Sequence, residues 1–138
     1  MTTQAPVLLD TDTLSAILRR NAVVDVRARE YLRSHQRFTF SIITRYEILR
    51  GLKARRATKQ QAAFDRFCAA NTVLHLSNAI VVQAADIYAD LYRRGKLIGD
   101  ADILIAATSI VEGRCLATNN EPHFERIEDL SIDNWLRE

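Results

Sequence analysis

Residues 7–12 read Val7-Leu8-Leu9-Asp10-Thr11-Asp12. Three consecutive apolar residues that stop at a pair of acids describe a short strand buried on both faces, with carboxylates just past its carboxyl end. Three later stretches read as strands: Arg37-Phe38-Thr39-Phe40, Thr72-Val73-Leu74-His75-Leu76 and Arg114 to Ala117. Helical stretches lie between them. The first covers Leu14 to Arg20, with Thr11 or Asp12 as its cap, and a second runs from Val23 to Leu32. A third covers Ile42 to Leu52 and ends at Gly51 or soon after. Thr58 to Ala69 follows, with Gln60, Gln61 and Arg66 on a wet side. Asn78 to Tyr92 places Ile80, Ala84, Ile87 and Leu91 on one face. Gly95 and Gly99 bracket a loop, and Ala101 to Val111 is so apolar that a central position is expected. Strands alternating with helices predict an α/β fold, a parallel-stranded central sheet sandwiched by helices.

The composition agrees with such a fold. A chain of 138 residues fits one domain, residues 1–138, and 48% hydrophobic content fills an ordinary core. Charged residues at 26% exclude a disordered chain. The longest apolar runs, such as Ile103 to Ala107, are too short to span a bilayer, so no membrane association is expected. The N-terminus carries no basic segment followed by an apolar one, so no secretory signal is expected. Cys68 and Cys115 match no metal or redox spacing, which points to a reducing cytoplasm. A net charge of +2 neither requires nor excludes a nucleic-acid partner. An acidic site facing an RNA backbone would need basic residues around it, and Arg93, Arg94, Lys96 and the run Lys53 to Lys59 are candidates.

In parallel sheets, ligands bind beyond the carboxyl ends of the strands. Asp10 and Asp12 follow the first strand, and Thr118, Asn119 and Asn120 follow the fourth. Asp100 and Asp102 open the central helix, and Glu47 lies about one turn into the helix after the second strand. Segments distant in sequence thus converge at one end of the sheet. Magnesium prefers oxygen ligands and keeps several waters, so two or three carboxylates suffice to hold it. Each acid also has an ordinary structural role open to it. Asp10 and Asp12 fit a helix cap. Asp100 and Asp102 fit the positive end of a helix dipole. Glu47 fits an i, i+3 pair with Arg50, although its place between Ile43 and Gly51 predicts partial enclosure. His35 and His75 read as loop and strand-end residues, and His123 as a weak candidate. Phe124 and Trp135 are expected to pack the C-terminal segment onto the sheet.

These stretches together resemble the PIN-domain ribonucleases, specifically the VapC-type toxins of type II toxin–antitoxin systems. The resemblance rests on Leu8 to Asp12, on Ser41-Ile42-Ile43-Thr44 through Glu47 to Gly51, and on Ile98 to Ala107. It continues through Leu116 to Asn120 and the tail Phe124 to Ile127, Leu130 and Trp135, so it covers nearly the whole chain. It implies a single PIN-like domain and a metal-dependent endoribonuclease. Asp10, Glu47 and Asp102 would be the catalytic acids and ligands of Mg2+, with Mn2+ able to substitute. Asp12, Asp100, Thr118 and Asn120 would be secondary. A metal-activated water would hydrolyse an RNA phosphodiester, with no covalent intermediate. The implied partners are an RNA substrate, a cognate VapB-like antitoxin and a second copy of the chain. Asp12 departs from the asparagine often found there, and His123 falls where other members carry an acid.

Two rival readings follow from the same residues. Asp10-Thr11-Asp12-Thr13-Leu14 resembles the nucleophile motif of haloacid-dehalogenase-like phosphatases. There, however, the Thr118-Asn119 motif should precede Gly99-Asp100, and Glu47 would have no role. A catalytically inactive PIN-like binding module shares the fold, but here all three principal acids are present. The sequence also predicts a docking groove. Ile43, Tyr46, Ile48, Leu49 and Leu52 on one helix and Ala62, Ala63, Phe64 and Phe67 on the next exceed what one sheet easily covers. Either all of them pack inside, or some line a groove between the two helices, beside Glu47, that would suit an amphipathic partner helix.

Overall fold

A computed structural model describes residues 5–138. Met1 to Gln4, on which part of the N-terminal reading falls, lie outside the described residues. The elements run in the order β1 (Val7–Leu9), α1 (Thr11–Leu18), α2 (Ala22–His35), β2 (Thr39–Ser41), α3 (Ile42–Ala54) and α4 (Thr58–Ala70). They continue with β3 (Thr72–Leu74), α5 (Asn78–Arg93), α6 (Asp100–Val111), β4 (Cys115–Ala117), α7 (Glu121–Phe124) and β5 (Ile132–Asp133). The strands form a five-stranded sheet in the order β3-β2-β1-β4-β5, parallel at every pairing.

β1 lies in the middle and all three of its residues are buried, as an uninterrupted apolar triplet requires when helices cover both faces. One layer packs Val7, Leu9, Leu14, Val24, Tyr31, Phe38, Phe40, Phe64 and Trp135. The other packs Leu8, Ile80, Ile87, Leu91, Ile103, Ile105, Leu116 and Phe124. Alternate residues of the same strand thus feed opposite cores, the period of two expected of a pleated strand. α6 is buried from Ile105 to Ser109, which confirms its central place. Among the described residues, no helix is long and apolar enough to cross a membrane.

Three local expectations need correction. The N-cap of α1 is Asp10, which the sequence also reads as fit to cap a helix, and not Thr11 or Asp12: its Oδ1 accepts from the Thr11 N–H at 2.8 Å. That helix ends at Leu18 rather than Arg20, because the chain turns through a left-handed Arg20 at φ 58°. α3 ends at Ala54, three residues past Gly51, in keeping with an end at Gly51 or soon after. A fifth strand is also present. Trp135 and Phe124 are buried as expected, but the tail additionally adds β5 to the free edge of β4, with Leu116 paired to Ile132 and Ala117 to Asp133.

Candidate active site

The register of the central strands builds the site. Leu9 pairs with Ala117, so the next residues, Asp10 and Thr118, emerge together at the carboxyl end of the sheet. The strand order reverses direction between β1 and β4, the usual place for a ligand crevice in an open parallel sheet. Asp10 is 5% exposed. Its Oδ2 accepts from Thr118 Oγ1 at 2.7 Å, and its Oδ1 accepts from the Thr11 backbone.

Burial pushes the Asp10 carboxyl up to about 7, with the charges of Asp12 and then Asp102 adding to the rise. The bonds from Thr118 and Thr11 oppose it without cancelling it. A buried acid that feels two neighbouring carboxylates is a strained anion, and a bound cation would relieve it.

Glu47 joins from α3. Thr11 Oγ1 donates to Glu47 Oε1 at 2.6 Å and lies 3.1 Å from Thr44 Oγ1. The Thr11 proton goes to the carboxylate, the stronger acceptor, which leaves the Thr44 hydroxyl to donate to Thr11. The expected pair with Arg50 is also present, with Nη2 at 3.8 Å from Glu47 Oε2. The Glu47 side chain is 19% exposed, consistent with the predicted partial enclosure.

Asp102 joins from the first turn of α6. His123 Nδ1 lies 3.1 Å from Asp102 Oδ2 and 2.8 Å from Asn120 Nδ2. The Asn120 backbone N–H donates to Thr118 Oγ1 at 2.9 Å. A continuous network therefore runs from Glu47 through Thr11, Asp10, Thr118, Asn120 and His123 to Asp102. Asp12 is attached to the same turn, its Oδ2 accepting from the Asn119 N–H at 3.1 Å. Asp100 is exposed at the start of α6 and belongs to none of these bonds. Among the described residues, no three His, Cys, Asp or Glu side chains already close around a single point. The donor set is nonetheless hard oxygen, suited to an ion that retains several waters and need not touch every carboxylate.

The sequence reading passed over Thr11 and Thr44 and underrated His123. A threonine beside a candidate ligand was the available signal for Thr11. The signal for His123 was its place three residues after Asn120, in the segment that follows β4.

Beside Glu47 opens a groove of about 650 Å³. Its walls come from α1, α3 and α4, with Leu18, Ile48, Leu52, Phe64 and Phe67 in the apolar lining and Thr11 and Glu47 among the polar residues. Arg19 and Arg55 also line it. The expectation is met in part: Ile48, Leu52, Ala63, Phe64 and Phe67 line the groove, but Ile43, Tyr46, Leu49 and Ala62 do not, α1 supplies a third wall, and Leu52 and Phe64 are buried in the core.

Comparison with known proteins agrees with this architecture. The PIN domain family matches residues 7–130. Ribonuclease VapC2 of Haemophilus influenzae is 30% identical over 94% of this chain and 97% of its own length. The tRNA(fMet)-specific endonuclease VapC of Salmonella typhimurium is 30% identical over 93% of this chain and 96% of its own. The crystal structure of VapBC2 from Rickettsia felis bound to a DNA fragment from their promoter contains a similar chain. That chain superposes with a TM-score of 0.83 at 25% identity, covering 94% of this chain and 98% of its own. The phosphatase reading falls on this finding, since motif order and family agree against it. The chain belongs to the PIN-domain family, as a ribonuclease toxin of the VapC type.

Proposed function

We propose that this endoribonuclease is magnesium-dependent and that Asp10, Glu47 and Asp102 hold the ion, with manganese able to replace it. The observation that carries the reading is the network joining these acids, from three different elements, at the carboxyl end of the sheet. When bound, the cation supplies charge that offsets what develops on the phosphate and lowers the pKa of water. The chain's own residues do the rest. Thr118 and Thr11 hold both Asp10 oxygens, Thr11 also fixes Glu47, and Asp12 ties the turn after β4 to the start of α1. Arg50, Lys53, Arg55 and Arg56 are exposed, and such cations could meet RNA phosphates. Transfer RNA is the first substrate to try, because one relative is named for cutting tRNA(fMet).

The antitoxin partner is expected in the groove beside Glu47, where an amphipathic segment would cover Leu18, Ile48 and Phe67. A second copy of the chain would cover α5, which exposes Val81, Val82, Tyr88 and Tyr92. Sedimentation of Tyr92→Glu beside the native chain tests that pairing, and an unchanged mass in both rejects this face. For the activity, purified protein is incubated with bulk transfer RNA and Mg2+, with and without EDTA. EDTA should stop cleavage, and Asp102→Asn should lose at least about 100-fold while remaining folded, the scale on which ligand and charge-stabilising groups act. Undiminished cleavage in EDTA, or by folded Asp102→Asn, refutes the assignment.

A further inference from the structure

His123 sits on α7, a single turn that the sequence of the site does not require. Its side chain is 41% exposed, so it is not held in place as core. Its Nδ1 nevertheless lies within hydrogen-bond reach of Asp102 Oδ2, at 3.1 Å, and of the Asn120 amide, at 2.8 Å. We propose that His123 is a positioning residue: an Nδ1–H bond to Asp102 Oδ2 sets the orientation in which Asp102 meets the divalent cation. The inference rests on the magnesium reading above and adds a residue to it.

The argument is geometric. Asp102 projects from the first turn of α6, and His123 and Asn120 are its only side-chain hydrogen-bond partners, direct or through one residue, among the described residues. A carboxylate with no partner rotates about its last bond, and ordering it upon ion binding costs entropy. An ionised Asp102 makes Nδ1 a donor, since two acceptors would repel. The Asn120 amide then serves the same N–H through its oxygen, a half-turn of a planar group. Asn120 is in turn anchored through its backbone N–H to Thr118, which holds Asp10. The turn between β4 and α7 thus grips the acids on both sides of the crevice. Partners that orient a ligand in this way change metal affinity by about 10- to 100-fold when removed.

The test is calorimetric titration of Mn2+ into the full chain, with no RNA present. Three variants separate the atoms involved. His123→Ala removes the bond, His123→Asn keeps an N–H donor near the position of Nδ1, and His123→Gln moves it to the position of Nε2. Thermal melts establish that each is folded. The expected result is Mn2+ affinity about 10- to 100-fold weaker in His123→Ala and His123→Gln, restored to within about threefold in His123→Asn. Native affinity in His123→Ala overturns the proposal. So does rescue by Gln rather than Asn, or failure of both, since the Nδ1 bond would then not be what matters. A native chain that binds no Mn2+ overturns the magnesium reading as well, and that failure is distinguished by appearing in the unmodified protein.

Discussion

Replacing Asp10 by asparagine should make the metal-free protein more stable while destroying its activity. Burial, and then the charges of Asp12 and Asp102, raise this carboxyl from 3.8 to about 7. Because the folded pKa lies above the unfolded one, the folded state binds the extra proton between those values. Stability is full below pH 3.8 and is lost as pH rises through about 7. At about 1.4 kcal/mol per pH unit, the whole loss is on the order of 4 kcal/mol at pH 8. Asparagine escapes it because it carries no charge. The exchange is not free, because Asp10 Oδ2 accepts from Thr118 Oγ1. An asparagine amide at that site donates to the same oxygen, leaving a buried hydroxyl proton unpaired at about 1–3 kcal/mol. The net gain is then about 2 kcal/mol at pH 8. Below pH 4 only the cost remains, so the variant becomes the weaker protein.

Urea unfolding in EDTA at pH 4, 6 and 8 measures this directly through the midpoint at constant slope. The difference between variant and native should change sign between pH 4 and pH 8. Adding Mg2+ at pH 8 should narrow the gap, since an ion that binds only the folded native chain stabilises it by mass action. An advantage for Asp10→Asn that is the same at every pH would show that shape rather than charge is responsible. No advantage at pH 8 would mean that the carboxylate is not strained, and the electrostatic case for a cation there would lapse.

Other substitutions test the groove and the tail. Gly51 lies on the groove wall inside α3, and a Cβ there would meet only Arg55 Nη1, at 3.5 Å. Gly51→Leu should therefore fold at least as well as the native chain, gaining up to about 1 kcal/mol of helix propensity. It should keep RNA cleavage and weaken antitoxin binding by tenfold or more in calorimetry, and undiminished binding would place the antitoxin elsewhere. Trp135 is wholly buried, with its ring 5.5 Å from that of Tyr31 and under the Arg27 guanidinium at 5.9 Å. Trp135→Ala should cost about 3–5 kcal/mol in denaturant unfolding, and a loss under 1 kcal/mol would show that β5 needs no such anchor.

The fold was legible because a parallel sheet covered on both faces turns its strands into uninterrupted apolar runs. Val7-Leu8-Leu9 and Leu116-Ala117 read as such strands, and the helices between them pack on the two faces. What escaped the sequence is short or conditional. β5 is two half-buried residues, Ile132 and Asp133, on an edge, and pairing with β4 rather than local pattern makes them a strand. Asp10 caps α1 with one oxygen, and what local pattern could not show is that its other oxygen accepts from Thr118, a strand away.

The site divides in the same way. Its acids stand out in sequence because each interrupts or borders an apolar segment, but the groups that hold them do not. Thr118 meets Asp10 only because Leu9 pairs with Ala117, and a one-residue change in that register would turn both side chains to opposite faces. Thr11 meets Glu47 only because α1 and α3 pack side by side across β1 and β2. His123 reaches Asp102 only after the chain folds back through α7. The network also limits what each acid has left to give. A carboxylate accepts at about four lone-pair positions. Among the described residues Asp10 spends two and Asp102 one, on side chains or backbone that the fold has already fixed. Their remaining positions suit an ion that arrives carrying most of its own water. On the proposed reading the carboxylates would make a few well-oriented contacts to a hydrated ion, and their precision would come from threonine, asparagine and histidine neighbours.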